Sequence, residues 1–75
     1  MNERLKTVMT ARYKAIIEDS KYKIKCYSEH ELVIPEHPDI TAEVDKLVEK
    51  MAQAEEKLAI IELHYGNNKA KKELL

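Results

Sequence analysis

The chain has 75 residues, a net charge of −1 and one cysteine, so it forms one domain at most and no disulfide within the chain. Charged residues make up 36%, tyrosine is the only aromatic residue, and one glycine and two prolines leave little turn material, which favours helices over a β-sandwich or barrel. No apolar run approaches the length of a membrane span, so we expect a soluble, cytoplasmic protein with little room for a concave catalytic site.

Residues 3–18 have the pattern of an amphipathic helix, with Asn2 as its N-cap. Arg12 lies inside the apolar stripe of this helix, where its guanidinium group either reaches solvent or pairs with an acid. Asp19 and Ser20 then weaken the helix, because their side chains compete for backbone hydrogen bonds. The predicted apolar stripe consists of Leu5, Val8, Met9, Ala15 and Ile16.

The stretch KYKIKCY, residues 21–27, alternates lysine with apolar or aromatic residues, which is typical of a β-strand. A polar loop and a second short apolar run follow, so the pattern predicts a short β-hairpin over about 21–34. The alternative is that the first helix continues to about residue 27, with Ile24 and Tyr27 extending its stripe.

In the strand interpretation the lysines share one side, where they could contact the phosphates of a nucleic acid or an anionic nucleotide. A solvated edge strand that resists aggregation is the more ordinary interpretation. The acidic segment 26–45, which has six acids and no lysine or arginine, can also neutralise this charge. The candidate anion-binding residues are Arg12, Lys14, Lys21, Lys23 and Lys25.

Four side chains could in principle bind zinc, namely Cys26, His30, His37 and His64. Their spacing matches no closed zinc pattern, so a metal-stabilised domain is only a second alternative. A buried structural thiol is also favoured over nucleophilic catalysis by Cys26. We therefore expect no metal, no cofactor and no catalytic residue.

The connector at residues 35–39 leads to the most regular pattern in the chain, a helix predicted over about 40–65. Asp39 or Thr41 can cap its start and Gly66 its end, and a short tail follows at 67–75. The apolar residues of this helix follow the 4–3 spacing of a heptad seam. Its a residues are Val44, Met51, Leu58 and Tyr65, and its d residues are Leu47, Ala54 and Ile61.

The heptad seam can serve between chains or within one chain. In a parallel dimer, Lys50 would face the partner's Glu55, and Lys57 would face the partner's Glu62, both pairs of opposite sign. The alternative is that the seam receives the first helix of the same chain. A chain of this size has little core of its own, so oligomerisation is the favoured source of further stability.

These patterns predict a single, mainly helical α+β domain with a helix, a short β-hairpin, a long heptad-patterned helix and a tail. An all-α helical hairpin that forms a dimeric bundle is the alternative. We expect a non-enzymatic, homo-oligomeric interaction protein that binds and modulates another macromolecule, with a second protein as the expected partner, as many short regulatory or phage-borne proteins do. A nucleic-acid or nucleotide binder is the alternative function. The candidate interface comprises Val44, Leu47, Met51, Ala54, Leu58, Ile61 and Tyr65.

Overall fold

A computed structural model describes residues 1–29 and 39–66 of the chain. In these two ranges the fold is a hairpin of two packed α-helices, α1 over Glu3–Glu29 and α2 over Ile40–Tyr65. The described residues contain no strand. The predicted α+β class is therefore wrong, and the all-α helical hairpin fits the chain instead.

α1 continues through the segment that was predicted as a strand. Alternation would place Tyr22 and Ile24 on one side, but Tyr22 is exposed and Ile24 is half-buried. A helical period extending over the whole of α1 accounts for this difference, because side chains two residues apart on a helix point in nearly opposite directions. The buried or half-buried positions with 4–3 spacing are Lys6, Thr10, Tyr13, Ile17, Ser20, Ile24 and Tyr27.

Both helices begin at a side chain that caps the first turn. The Oδ1 atom of Asn2 accepts a hydrogen bond from the backbone N–H of Leu5 at 2.7 Å. The Oδ1 atom of Asp39 accepts one from the backbone N–H of Ala42 at 3.0 Å and one from the Thr41 hydroxyl at 2.8 Å. These acceptors satisfy N–H groups that have no partner within their own helix.

α2 ends at Tyr65, and Gly66 follows as the C-cap with an extended backbone. A Cβ atom at Gly66 would collide with the backbone carbonyl oxygen of Glu62. A residue with a side chain therefore does not fit at position 66 unless the backbone moves. The predicted cap at Gly66 is confirmed.

The core of the hairpin is one narrow seam. In the described ranges the buried hydrophobic residues are Leu47, Ala54 and Ile61 of α2, which are the d residues of the heptad. Ser20 of α1 is 1% exposed and Ala54 is 2% exposed. These two small side chains allow the helices to approach each other closely near their middle.

The predicted apolar stripe of the first helix forms only part of the contact with α2. Met9 and Ile16 are half-buried, and Ile16 lines a groove between the two helices. Leu5 and Val8 are 48% and 51% exposed, and Ala15 is also exposed. The part of the stripe formed by Leu5, Val8 and Ala15 is therefore largely left uncovered by α2.

Candidate functional site

A groove lies between the two helices where Ser20 and Ala54 keep the side chains short. Its volume of about 240 Å³ is below the roughly 300–1,000 Å³ that is usual for ligand pockets. The groove can therefore accept a side chain or a small ion more readily than a cofactor. The other residues that line it are Tyr13, Ile16, Asp19, Lys50, Gln53 and Lys57.

Lys57 joins the two helices at this groove. Its Nζ atom lies 5.5 Å from the centroid of the Tyr13 ring, which is within the range of an attractive cation–π contact. Lys50 lies two turns earlier on α2 and lines the same groove. Lys50 and Lys57 make the α2 wall of the groove basic, whereas Asp19 on the α1 wall is acidic.

The lysines that were predicted to line one side of a strand fall on two sides of α1, with Lys21 and Lys25 together and Lys23 nearly opposite. Successive members of the series 21, 23, 25 differ by about 200° in direction on a helix. Each lysine also pairs with an acid of its own helix, and such exposed pairs contribute little to stability. The pairs are Lys21–Glu18 at 3.6 Å, Lys23–Asp19 at 3.0 Å and Lys25–Glu29 at 4.0 Å.

The helix therefore divides the candidate residues between two sides of α1. Lys14, Lys21 and Lys25 share one side, and Arg12 and Lys23 lie on nearly the opposite side. Arg12 and Lys14, the other candidate residues, are exposed on α1. Their angular separation is again about 200°. Binding of an anion by these residues stays a prediction, but it can no longer draw on a strand.

Two of the four candidate zinc ligands, His30 and His37, lie outside the described residues. Within 1–29 and 39–66, no group of three or more His, Cys, Asp or Glu side chains is placed to hold a metal ion. Cys26 is half-buried. It raises the pKa of the Tyr22 hydroxyl, first through a hydrogen bond and second through charge repulsion. His64 has its ring centroid 6.3 Å from that of Tyr65.

The residues of the predicted interface lie along the contact between the helices. The d residues are buried there, so α1 of the same chain occupies the seam. Tyr65, at the end of the seam, is 47% exposed. A role for the seam between chains stays a prediction. The remaining members, Val44, Met51 and Leu58, are half-buried.

A second 4–3 pattern lies along a side of α1 that α2 leaves largely uncovered, with Asp19 at the edge of the groove between the helices. Leu5, Val8 and Tyr22 are large, exposed side chains on it. The sequence predicts the first half of this pattern, an apolar stripe with Arg12 inside it, but the helix predicted over 3–18 ends before Asp19, Tyr22 and Cys26. We call this set the outer stripe, and it consists of Leu5, Val8, Arg12, Ala15, Asp19, Tyr22 and Cys26.

Comparison of the chain with protein-family models, with curated proteins and with solved structures finds no match. Neither α1 nor α2 has the run of apolar sequence that crossing a membrane requires. The surfaces of the hairpin are therefore the basis on which a function can be proposed.

Proposed function

We propose that the chain is a non-enzymatic interaction protein that works as a homo-oligomer of helical hairpins. The observation that carries this proposal is the imbalance between buried and exposed apolar side chains. In the described ranges three hydrophobic residues are buried, whereas eight large ones are exposed. A pair of helices offers a single contact layer, and a second copy would supply the other side of a core.

The exposed side chains are large enough to drive association. Full burial of one such side chain contributes about 1.5–3 kcal/mol, while association costs an estimated 4–15 kcal/mol in lost freedom. Several of them must therefore be covered together for a stable oligomer. The exposed set comprises Met1, Leu5, Val8, Tyr22, Val48, Ile60, Leu63 and Tyr65.

Binding of another macromolecule is the second part of the proposal. The groove supports it, because it is large enough for one side chain and two lysines, Lys50 and Lys57, line it against one acid, Asp19. Such a cleft complements an acidic side chain on the surface of a partner protein. The oligomer would hold one groove per chain and so present several at once, which strengthens binding without new contacts.

The mass in solution tests the homo-oligomer. Light scattering over a wide range of protein concentration should give at least twice the chain mass of 8.7 kDa. The melting temperature should also rise with concentration, since association stabilises the folded state by mass action. A mass of one chain at every concentration would overturn the proposal.

A further inference from the structure

We infer that α1 binds α1 of a second copy in antiparallel orientation along the outer stripe, with Arg12 beside the partner's Asp19. This inference rests on the proposed function, because it names the surface through which the homo-oligomer forms. The outer stripe of one chain therefore packs against the outer stripe of a second copy. A two-fold axis near Ala15 relates the two helices.

The charges on the outer stripe are arranged symmetrically about Ala15. Arg12 lies three residues before Ala15, and Asp19 lies four residues after it. When two such helices run antiparallel and cross at Ala15, each Arg12 meets the partner's Asp19. The contact occurs twice in a symmetric dimer, as an isologous interface requires.

The apolar members of the outer stripe have the same symmetry. Val8 and Tyr22 lie seven residues on either side of Ala15, so each Val8 faces the partner's Tyr22. Leu5 and Cys26 lie at the two ends of the stripe and face each other in the same way. Every contact in this register is either apolar with apolar or positive with negative.

The side chain at the crossing point is small. Ala15 is exposed in the hairpin, and a small residue allows two helix backbones to approach closely. Ile16, which is half-buried at the edge of the stripe, would meet the partner's Ile16 across the axis. The dimer thereby gains an apolar centre between its two charge pairs.

The parallel orientation brings like charges together. In that arrangement Arg12 would lie beside the partner's Arg12 and Asp19 beside the partner's Asp19. Like-charged contacts at an interface discriminate against the arrangement that creates them. The charge pattern of the outer stripe therefore selects the antiparallel dimer.

The ion pairs within one chain do not prevent Arg12 from pairing with the partner's Asp19. Arg12 takes part in none of the ion pairs found among the described residues. Asp19 pairs with Lys23 at 3.0 Å, with both side chains at least half exposed. A carboxylate has two oxygen atoms, so Asp19 can accept hydrogen bonds from Lys23 and from the partner's Arg12 at the same time. The partner's Arg12 can therefore bind Asp19 without loss of the contact to Lys23.

A charge-swap cycle tests the inference, with the dimer affinity of each variant obtained from its mass in solution as a function of concentration. Arg12→Asp and Asp19→Arg should each weaken dimerisation, by roughly tenfold or more, because each change replaces two attractive contacts with two repulsive ones. The double variant restores both contacts and should dimerise like the wild-type protein. An equimolar mixture of the two single variants should form a heterodimer, in which both contacts are again of opposite sign.

Lys14→Asp and Glu18→Arg are the matched controls. They make the same changes of charge on exposed positions of α1 outside the outer stripe. Glu18→Arg also removes an intrachain pair with lysine, as Asp19→Arg does. Both controls should weaken the dimer much less than the two test substitutions, because Lys14 and Glu18 each lie about 100° around the helix from a neighbouring member of the outer stripe.

The results separate the inference from the proposed function. A wild-type dimer with the expected cycle supports both. A wild-type dimer whose affinity is unchanged by the single variants, or is not restored by the double variant, overturns the outer-stripe interface and leaves the homo-oligomer standing. A wild-type protein that is monomeric throughout overturns both.

Discussion

The ammonium nitrogen of Lys57 in α2 lies 5.5 Å from the ring centroid of Tyr13 in α1. Ser20 and Ala54, both almost fully buried, line the same groove. A cation–π contact and two small side chains therefore accompany the buried Leu47 and Ile61 where the helices meet.

Replacing Lys57 with glutamine should lower the free energy of unfolding by about 0.5–1 kcal/mol, because the cation over the Tyr13 ring is lost. Chemical denaturation monitored by circular dichroism measures this change. The control is Lys46→Gln, since Lys46 is exposed and pairs only with Glu43 of its own helix, at 3.6 Å. Equal effects of the two substitutions would argue against a contribution from the cation–π contact.

Enlarging Ala54 should destabilise the hairpin. Ala54 is 2% exposed, so Ala54→Leu forces extra volume between the helices and costs about 1–3 kcal/mol. Ala52→Leu introduces the same side chain at an exposed position of α2 and should have little effect. Thermal melting of the two variants makes the comparison, and an Ala54→Leu variant as stable as Ala52→Leu would show that the helices do not approach closely there.

The sequence predicts α2 well because several independent features agree over its length. The heptad spacing is uninterrupted, and caps mark both ends, so the predicted range of 40–65 matches the observed helix. The caps Asp39 and Gly66 act through contacts within a few residues. Local signals of this kind do not depend on how the rest of the chain packs.

The continuation of α1 could not be predicted in the same way. Ser20 occupies a seam position but is polar and small, so hydrophobic periodicity alone gives no sign that it is buried. Its burial depends on Ala54, which is distant in sequence. The alternation of KYKIKCY was then the stronger local pattern, although it extends over only seven residues of a 27-residue helix.

The first half of the outer stripe could be predicted from the sequence, but its exposure could not. Leu5 and Val8 were identified as apolar residues of a helix, and the simplest use of such residues is contact with the other helix. Only the packed hairpin shows that α2 leaves these two residues largely uncovered. The charge symmetry of Arg12 and Asp19 then becomes informative, because both lie on a surface that remains largely uncovered.

A proline scan tests the helical assignment of residues 21–27. Lys23→Pro should cost about 3 kcal/mol or more, because proline removes a backbone hydrogen bond inside α1 and clashes with the preceding turn. Glu3→Pro should be tolerated, since the first helical position has no intrahelical partner for its N–H group. The ellipticity at 222 nm measures both, and similar helicity in the two variants would contradict a continuous α1.

The cap at Asp39 gives the stability a dependence on acid pH. The Ala42 N–H and then the Thr41 hydroxyl hold the pKa of Asp39 below its ordinary value of 3.8. The carboxylate therefore contributes stability that is fully present above pH 3.8 and is lost as the pH falls through the lower, folded-state pKa.

Asp39→Asn isolates this effect, because asparagine caps a helix at any pH. The difference in melting temperature between wild type and variant should be constant near neutral pH. As the pH falls below 3.8, the melting temperature of the wild type should decrease more than that of the variant. A difference that does not change between pH 7 and pH 2 would count against the cap.

The separation of the two Cys26 side chains in the dimer tests the antiparallel arrangement most directly. Cys26 is the only cysteine in the chain, so a spin label attached there needs no further substitution. Because Cys26 lies at one end of the outer stripe, the solution mass of the labelled protein is measured first, to establish that it is still a dimer. Because it lies about ten residues from the centre of the outer stripe, the two positions are separated by roughly 30 Å along the helix axis. Dipolar spectroscopy should give a distance near this value. A short distance, with the labels at about the 8–10 Å spacing of parallel packed helices, or the absence of any dipolar coupling would contradict the account.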